Sequence, residues 1–150
     1  MLYHFNVICF AVAKRGGTIS FEWPRYCSGW NLPELKAIIS RYKLVVADVD
    51  GCQVGVVAKS SNTPILRPWR FVSNNSDLVG ELGKLRCAKV HEHAPCAGAD
   101  TVQTGFYTKM LADIMVDYVF RKYVCYCCVS PAPERKPRVQ SPNGPSIGSY

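Results

Sequence analysis

The sequence predicts an α/β domain of three layers, in which a small mixed β-sheet lies between flanking helices. Leu44–Ala47 is a continuous apolar run, typical of a strand that is buried on both faces. Over Tyr107–Tyr123, apolar residues recur with the 3.6-residue period of a helix. Residues 130–150 contain five prolines among serines and glycines, a composition that does not build a core. We therefore expect one folded domain over 1–129 and a disordered basic tail over 130–150.

The first elements are a helix and a short strand. Leu2–Ala13 is apolar on most sides and predicts a buried helix, with Gly16 or Gly17 in the left-handed conformation that ends it. A strand remains the alternative for this segment, because Val7, Ile8, Phe10 and Val12 are β-formers. Thr18–Glu22 predicts a strand that ends at Trp23-Pro24, since proline cannot donate to a ladder.

The middle of the chain predicts a helix and three strands. Asn31 can cap a helix that has Pro33 in its first turn. Leu44–Ala47 and Gln53–Ala58 are strand patterns joined by the Asp50-Gly51 turn signal, and Trp69–Val72 predicts a third strand that returns antiparallel as a hairpin partner.

Two further helices and a long loop follow. Ser76 can cap a helix over Asp77–Lys84. Residues 85–105 contain few apolar side chains and predict a loop, and loops of this length are usually functional or held in place by something. Tyr107–Tyr123 is the clearest helix pattern of the chain.

Charge and cysteine content narrow the class of protein. The formal net charge of +7 suits a DNA or RNA partner, and it also suits a soluble protein that merely stays away from neutrality. The eight cysteines do not predict a disulfide framework, because Cys9 and Cys52 lie in apolar stretches where cysteine acts as a small hydrophobe.

Phe5–Ala13 is too short to span a bilayer and has no basic residues before it, so we expect no membrane association and a cytoplasmic or nuclear protein. A divergent signal peptide stays open.

The long loop contains a group of possible zinc ligands. Cys87, His91, His93 and Cys96 offer two thiolates and two imidazoles, which zinc prefers and which can form a closed tetrahedral site. Their spacing matches no common zinc module, and a polar loop with unrelated histidines is the alternative. Cys125, Cys127 and Cys128 could join the loop ligands or be palmitoylated, or could be the frayed end of a helix.

Two other segments carry side chains suited to chemistry or binding. Glu22 ends a predicted strand, where an acidic residue could act as a general acid; the alternative is a glutamate that faces water or pairs with Arg25. Arg67, Trp69 and Arg70 could grip a phosphate backbone and stack on a base, or Trp69 could belong to the core of a hairpin.

Several motifs together resemble a known family. They are Gly17-Thr-Ile-Ser-Phe-Glu-Trp-Pro24, Trp30-x-x-Pro33-Glu34-Leu35, Asp50-Gly51-Cys52-x-x-Gly55, Arg67-Pro-Trp-Arg-Phe71-x-x-Asn74, and the loop from Cys87 through His91 and His93 to Gly98. Over about residues 2–120 the chain resembles the C-terminal half of a methyltransferase-like domain of eukaryotic mobile-element (retrotransposon) polyproteins. More distantly, the order of elements is similar to the second half of cytosine-5 DNA methyltransferases.

The resemblance implies a truncated Rossmann-like half domain. Glu22 would correspond to the glutamate that contacts the target cytosine, and the segment from Gly55 to Arg70 to the hairpin with substrate-facing arginines. Trp-Pro stands where those enzymes have Asn-Val after the glutamate. This sequence shows neither a Pro-Cys nucleophile nor a glycine-rich S-adenosylmethionine loop, which would both belong to an upstream half. We therefore expect a fragment that is not catalytic on its own and that self-associates through an open sheet edge.

Two other functional hypotheses remain beside it. One is a small zinc-containing domain that binds nucleic acid. The other is an orphan structural protein without dedicated chemistry.

Overall fold

A computed structural model of the chain describes residues 2–120. The predicted tail over 130–150, the end of the last predicted helix and the three cysteines at 125, 127 and 128 lie outside the described residues. The helices are α1 (Leu2–Ala13), α2 (Pro33–Arg41), α3 (Ser76–Gly83), α4 (Ala99–Gln103) and α5 (Lys109–Phe120), and the strands are β1 (Ser20–Pro24), β2 (Val45–Asp50) and β3 (Pro68–Ser73). Over the described range, none of the helices has the length and apolar character needed to cross a membrane.

The three strands form one sheet in the order β1-β3-β2, in which both pairings are antiparallel. The α/β class is thus confirmed, whereas the prediction of a mixed sheet is wrong for the described residues. β2 is an edge strand, and Val45 and Val46 are 54 % and 49 % exposed, so the prediction that Leu44–Ala47 is buried on both faces is also wrong. Only the half of β2 from Ala47 onward enters the core.

Helices cover both faces of this sheet. On one face α3 and α5 pack on β2 and β3, with Trp69, Phe71 and Leu82 at the centre of the apolar cluster. On the other face α1 and α2 pack around Val72, Leu35 and neighbouring aromatic side chains. Adjacent residues of β3 point to opposite faces, which is why Phe71 and Val72 belong to different clusters. The layer order is therefore helix, sheet, helix.

α1 forms a helix with the predicted bounds, but it is not a buried one. Cys9 is its buried residue, while Tyr3, Ile8 and Phe10 are more than half exposed. Gly16 ends the helix with a positive φ of 66°, as predicted. The helix is apolar on most sides, but only one side of it faces α2 and the sheet, so the prediction of a buried helix is wrong.

The predicted strand over Gln53–Ala58 is wrong. Gly51–Val54 instead forms a 3-10 turn, and only an isolated bridge joins Val57 to Pro64. Gly51 donates its amide to the carbonyls of Leu66 and Arg67, at 2.6 and 3.0 Å, which turns the chain sharply after β2. A Cβ atom on Gly51 would lie 2.8 Å from the Cβ of Arg67, so this close backbone approach needs glycine.

The helix caps differ from the predictions by one residue. α2 has Leu32 at its N-cap rather than Asn31, followed by Pro33 at the first helical position. At α3, Asn75 rather than Ser76 is the N-cap, and its side-chain oxygen accepts from the amides of Asp77 and Leu78 at 3.1 Å each. The Asn75 amide group also donates to the Tyr118 carbonyl, which ties α3 to α5.

Candidate metal centre

Four side chains with soft or imidazole donors meet at one end of β2. The donor atoms of Cys52, Cys87, His91 and His93 all lie within 4.8 Å of one another. The Cys87 Sγ atom is 3.7 Å from His91 Nε2 and 3.5 Å from His93 Nε2, and His93 Nε2 is 3.4 Å from Cys52 Sγ. A tetrahedral zinc ion with ordinary bond lengths separates sulfur and nitrogen ligands by about 3.6 Å. The geometry therefore fits a metal ion with two thiolate and two imidazole ligands.

Cys52 owes its place to the turn after β2. It follows Gly51 in the 3-10 turn. The Gly51 amide donates to the carbonyls of Leu66 and Arg67, and these bonds bend the chain back toward the start of β3. The Cys52 side chain is partly buried, and the amide of Gln53 lies 3.7 Å from its sulfur. A sharp glycine turn thus presents the first thiol at the sheet end.

The other three ligands come from the segment that follows α3. Its start is fixed because the Leu85 carbonyl accepts the Asp50 amide at 2.8 Å and the Cys87 amide donates to Asp50 Oδ2 at 2.9 Å. Its far side is fixed by the Ala94 amide, which donates to the Pro64 carbonyl at 2.8 Å. Between these points the chain must curve, and Lys89 takes a positive φ of 58°. The loop is thereby held against both β2 and the segment that precedes β3.

Within this curve, backbone and ring groups support the ligands. The Lys89 amide donates to Cys87 Sγ at 3.2 Å, which fixes the sulfur against the backbone of the curve. The rings of His91 and His93 are 4.6 Å apart between centroids and inclined by 60°, so both Nε2 atoms reach Cys87. His91 and His93 thus lie on one side of the chain, as their i, i+2 spacing predicts.

The structure does not bring Cys96 to the other predicted ligands. Its exposed thiol lies 3.2 Å from Thr104 Oγ1 instead, next to the end of α4. Three of the four predicted zinc ligands come together, and Cys52 takes the fourth position. The predicted set placed Cys96 there because it is close in sequence, whereas the Asp50 contacts bring the β2 turn closer in space.

The surroundings of Cys52 favour its neutral thiol when no ion is bound. Burial raises the pKa of the Cys52 thiol, and the neighbouring Cys87 raises it further, while the Gln53 amide acts in the opposite direction. A bound divalent ion reverses this balance because a coordinating thiol is deprotonated. The case for zinc therefore rests on the spacing and chemical type of the four donor groups.

A network of three arginines and two aspartates lies beside the cluster. Asp50 is 2 % exposed and accepts from Arg25 Nη2 at 2.7 Å and from Arg86 Nε at 3.0 Å. Asp48 contacts the same two arginines and accepts a bidentate pair of bonds from Arg70, at 2.8 and 3.1 Å. Burial alone raises the pKa of each carboxyl, but the hydrogen bonds and arginine charges outweigh it and hold both pKa values below their usual range.

Glu22 lies within β1, where it pairs with Phe71, rather than at the strand's end. Tyr107 donates its hydroxyl to Glu22 Oε2 at 3.0 Å, and the tyrosine ring packs edge-on against Trp69. Burial raises the pKa of Glu22, while the Tyr107 hydroxyl and the charge of Arg67 lower it in part. Burial and the nearby carboxylate raise the pKa of Tyr107 as well. The glutamate thus has a tyrosine partner that the sequence analysis did not foresee.

The three residues predicted to bind nucleic acid have different surroundings. Trp69 is 3 % exposed and belongs to the core, so its indole has no free face for stacking on a base. Arg70 is paired with Asp48. Arg67 is partly buried with a positive φ of 29°, and its Nε atom has no hydrogen-bond partner among the described residues. They do not form an exposed strip of alternating cation and ring.

The resemblance assigns the S-adenosylmethionine site to an upstream half, and the described strands lead into turns of another kind. Such a site needs a glycine-rich loop between a strand and a helix. β1 and β2 each lead toward a 3-10 turn, and β3 leads through Asn74 and Asn75 into α3.

Sequence reasoning missed Cys52 and Tyr107. Cys52 sits in an apolar stretch, yet its place behind Asp50-Gly51 marks the end of a strand, where ligands commonly gather. Tyr107 begins the periodic pattern of the last helix, which hid its role as a partner of Glu22.

Comparison of the chain with protein-family models, curated proteins and solved structures returned no match in any of the three.

Proposed function

We propose that the chain is a small zinc-binding α/β domain, in which one Zn²⁺ ion joins the turn after β2 to the segment after α3. The observation that carries this proposal is the convergence of Cys52, Cys87, His91 and His93 to within 4.8 Å. Three of the six donor separations lie between 3.4 and 3.7 Å, close to the edges of a zinc tetrahedron.

The ligand types select the metal and its role. Thiolate with imidazole in tetrahedral array suits zinc, whereas calcium and magnesium prefer oxygen ligands. Four protein ligands complete the coordination sphere and leave no position for a substrate, so the ion acts structurally. Its role is to hold a segment whose Val90 is 83 % exposed and which has little apolar surface of its own to bury.

Metal analysis and spectroscopy of the full chain test this proposal. The protein is purified under reducing conditions and its zinc content measured, and cobalt is then substituted for zinc. We expect about one equivalent of zinc and the intense visible absorption of tetrahedral cobalt with sulfur ligands. Less than about one tenth of an equivalent after zinc addition refutes the proposal.

A second proposal follows from the resemblance. In it, the chain is a mobile-element-derived, methyltransferase-like fragment that is not catalytic on its own and that associates with DNA or RNA. Glu22 supports it, because a half-buried carboxyl with a raised pKa lies on β1 beside Tyr107. The net charge of +7 supports association with a polyanion.

Binding assays across a salt series test the second proposal. Single- and double-stranded DNA and RNA of the same length are titrated with the zinc-loaded protein. We expect the logarithm of the affinity to fall linearly with the logarithm of the salt concentration, because cationic side chains displace counterions from the phosphates. An absence of binding at low salt rejects it and leaves the zinc proposal untouched.

A further inference from the structure

Asp50 connects the two segments that carry the thiol ligands. It is the last residue of β2, and Cys52 follows two positions later. Its backbone amide donates to the Leu85 carbonyl at 2.8 Å, and its Oδ2 atom accepts from the Cys87 amide at 2.9 Å. Main chain and side chain of one residue therefore both hold the segment that contains Cys87.

The carboxylate of Asp50 has little freedom to turn away from this contact. Arg86 donates to the same Oδ2 atom at 3.0 Å, while Arg25 donates to Oδ1 at 2.7 Å. The residue is 2 % exposed and Arg25 is 9 % exposed. Three donors thus hold the two oxygens of a buried carboxylate, and loss of any one of them would leave a buried acceptor less well satisfied.

We infer that Asp50 is the positioning residue of the metal centre, holding Cys52 and Cys87 at ligand spacing before the ion binds. This inference rests on the zinc-binding function proposed above. Without such a contact, the ion itself would have to offset the entropy of ordering the segment after α3 against the turn after β2. Groups that orient ligands from outside the coordination sphere commonly change metal affinity by about 10- to 100-fold.

Asp48 is a matched control on the same strand. It contacts the same arginines, Arg25 and Arg86, and in addition Arg70. Unlike Asp50, it makes no hydrogen bond to the backbone of the ligand segment within the described residues. Asp48→Asn thus removes the same charge from the same network and leaves the Cys87 contact in place.

The experiment is a zinc competition titration against a chromophoric chelator, with the full-length wild type, Asp50→Asn and Asp48→Asn. We expect Asp50→Asn to bind zinc about 10- to 100-fold more weakly, with the cobalt spectrum keeping its wild-type shape because the four ligands are unchanged. Asp48→Asn should stay within about threefold of wild type. Equal affinities for wild type and Asp50→Asn, or equal losses for both variants, overturn the inference.

A second pair of variants covers the case in which Asp50→Asn does not fold. Arg86 is half exposed and donates to Asp50 at 3.0 Å, with a longer contact to Asp48 at 3.5 Å. Arg70 contacts Asp48 and not Asp50, so Arg70→Gln is the control for loss of the Asp48 contact in Arg86→Gln. Weaker zinc binding by Arg86→Gln alone supports the inference, and equal affinities refute it. Failure of the wild type to bind zinc refutes the proposed function itself, which is a distinct result from unchanged affinity in the variants.

Discussion

His93 Nε2 lies 3.4 Å from Cys52 Sγ, although 41 positions separate the two residues in the chain. The contact joins a turn at the end of a strand to a segment with almost no regular structure. Neither residue is placed there by an apolar core, since both side chains are only partly buried. Polar contacts around Asp50 bring the two segments together, and the proposed zinc ion would join them through side-chain ligands.

Replacing Cys52 should abolish tight zinc binding, whereas replacing Cys96 should not. Cys52→Ser removes a thiolate from the cluster, and Cys96→Ser changes a thiol whose partner is Thr104. We expect the zinc content of Cys52→Ser to fall below about a tenth of an equivalent after dialysis, with Cys96→Ser close to wild type. Plasma mass spectrometry of the dialysed proteins checks this. Loss of zinc from Cys96→Ser, with Cys52→Ser unaffected, would instead support the ligand set predicted from the sequence, in which Cys96 is the fourth ligand.

Removing the metal should lower the thermal stability of the chain. A ligand that binds only the folded state at about 100 times its dissociation constant adds about 2.7 kcal/mol to the free energy of unfolding. Calorimetry with excess zinc and with excess chelator measures this difference. Cys52→Ser is the control, because its melting temperature should be the same in both solutions.

Two helices and two strands of this fold can be predicted from local sequence patterns. α1 and α3 carry local signals such as the Gly16 stop, and β1 and β3 are short β-forming runs. The ligand at position 52 was not readable, because a cysteine in an apolar stretch looks like core. Cys52 lies near Cys87 in a fold where the Cys87 amide donates to Asp50, a contact between distant segments that no local pattern encodes.

Asn75→Ala should destabilise the domain, and Ser76→Ala should have little effect. Asn75 caps α3 through two backbone amides, so its loss costs about 1 kcal/mol, with more from the bond to the Tyr118 carbonyl. Ser76 is exposed in the first turn of α3. Urea unfolding of both variants measures the difference. A larger loss of unfolding free energy in Ser76→Ala than in Asn75→Ala would show that Ser76, the residue predicted from the sequence, is the N-cap.

Glu22→Gln should gain stability relative to the wild type as the pH rises. The folded state raises the pKa of Glu22, chiefly through burial, so the folded chain holds this proton more tightly than the unfolded chain. That contribution is present below the unfolded pKa and is lost as the pH rises through the folded pKa. The substituted glutamine side chain keeps an oxygen that can accept from Tyr107, without the buried charge.

The measurement is urea unfolding of both proteins at about pH 4 and about pH 7. Asp77→Asn, a change at an exposed carboxyl near the start of α3, serves as a control for general charge effects. A difference between wild type and Glu22→Gln that is independent of pH would contradict the raised pKa.

Gly29→Ala and Gly80→Ala should have opposite effects. A Cβ on Gly29 would run into the Trp23 ring, whereas a Cβ on Gly80 meets nothing within 4 Å. Gly80 lies inside α3, where alanine is favoured over glycine by about 0.5–1 kcal/mol. Thermal unfolding should therefore show a lower melting temperature for Gly29→Ala and a slightly higher one for Gly80→Ala. A neutral Gly29→Ala would mean that the turn over Ser28–Asn31 shifts freely away from Trp23.

The central position of β3 has a consequence for synthesis on the ribosome. β1 and β2 both pair with β3 and not with each other, and the outermost β1 pair joins Ser20 to Ser73. Two strands are thus translated before their shared partner exists, and neither can pair until β3, from Pro68 onward, has left the exit tunnel. During that interval the nascent chain carries two unpaired strands, and unpaired strand edges are the kind of surface that chaperones protect from aggregation.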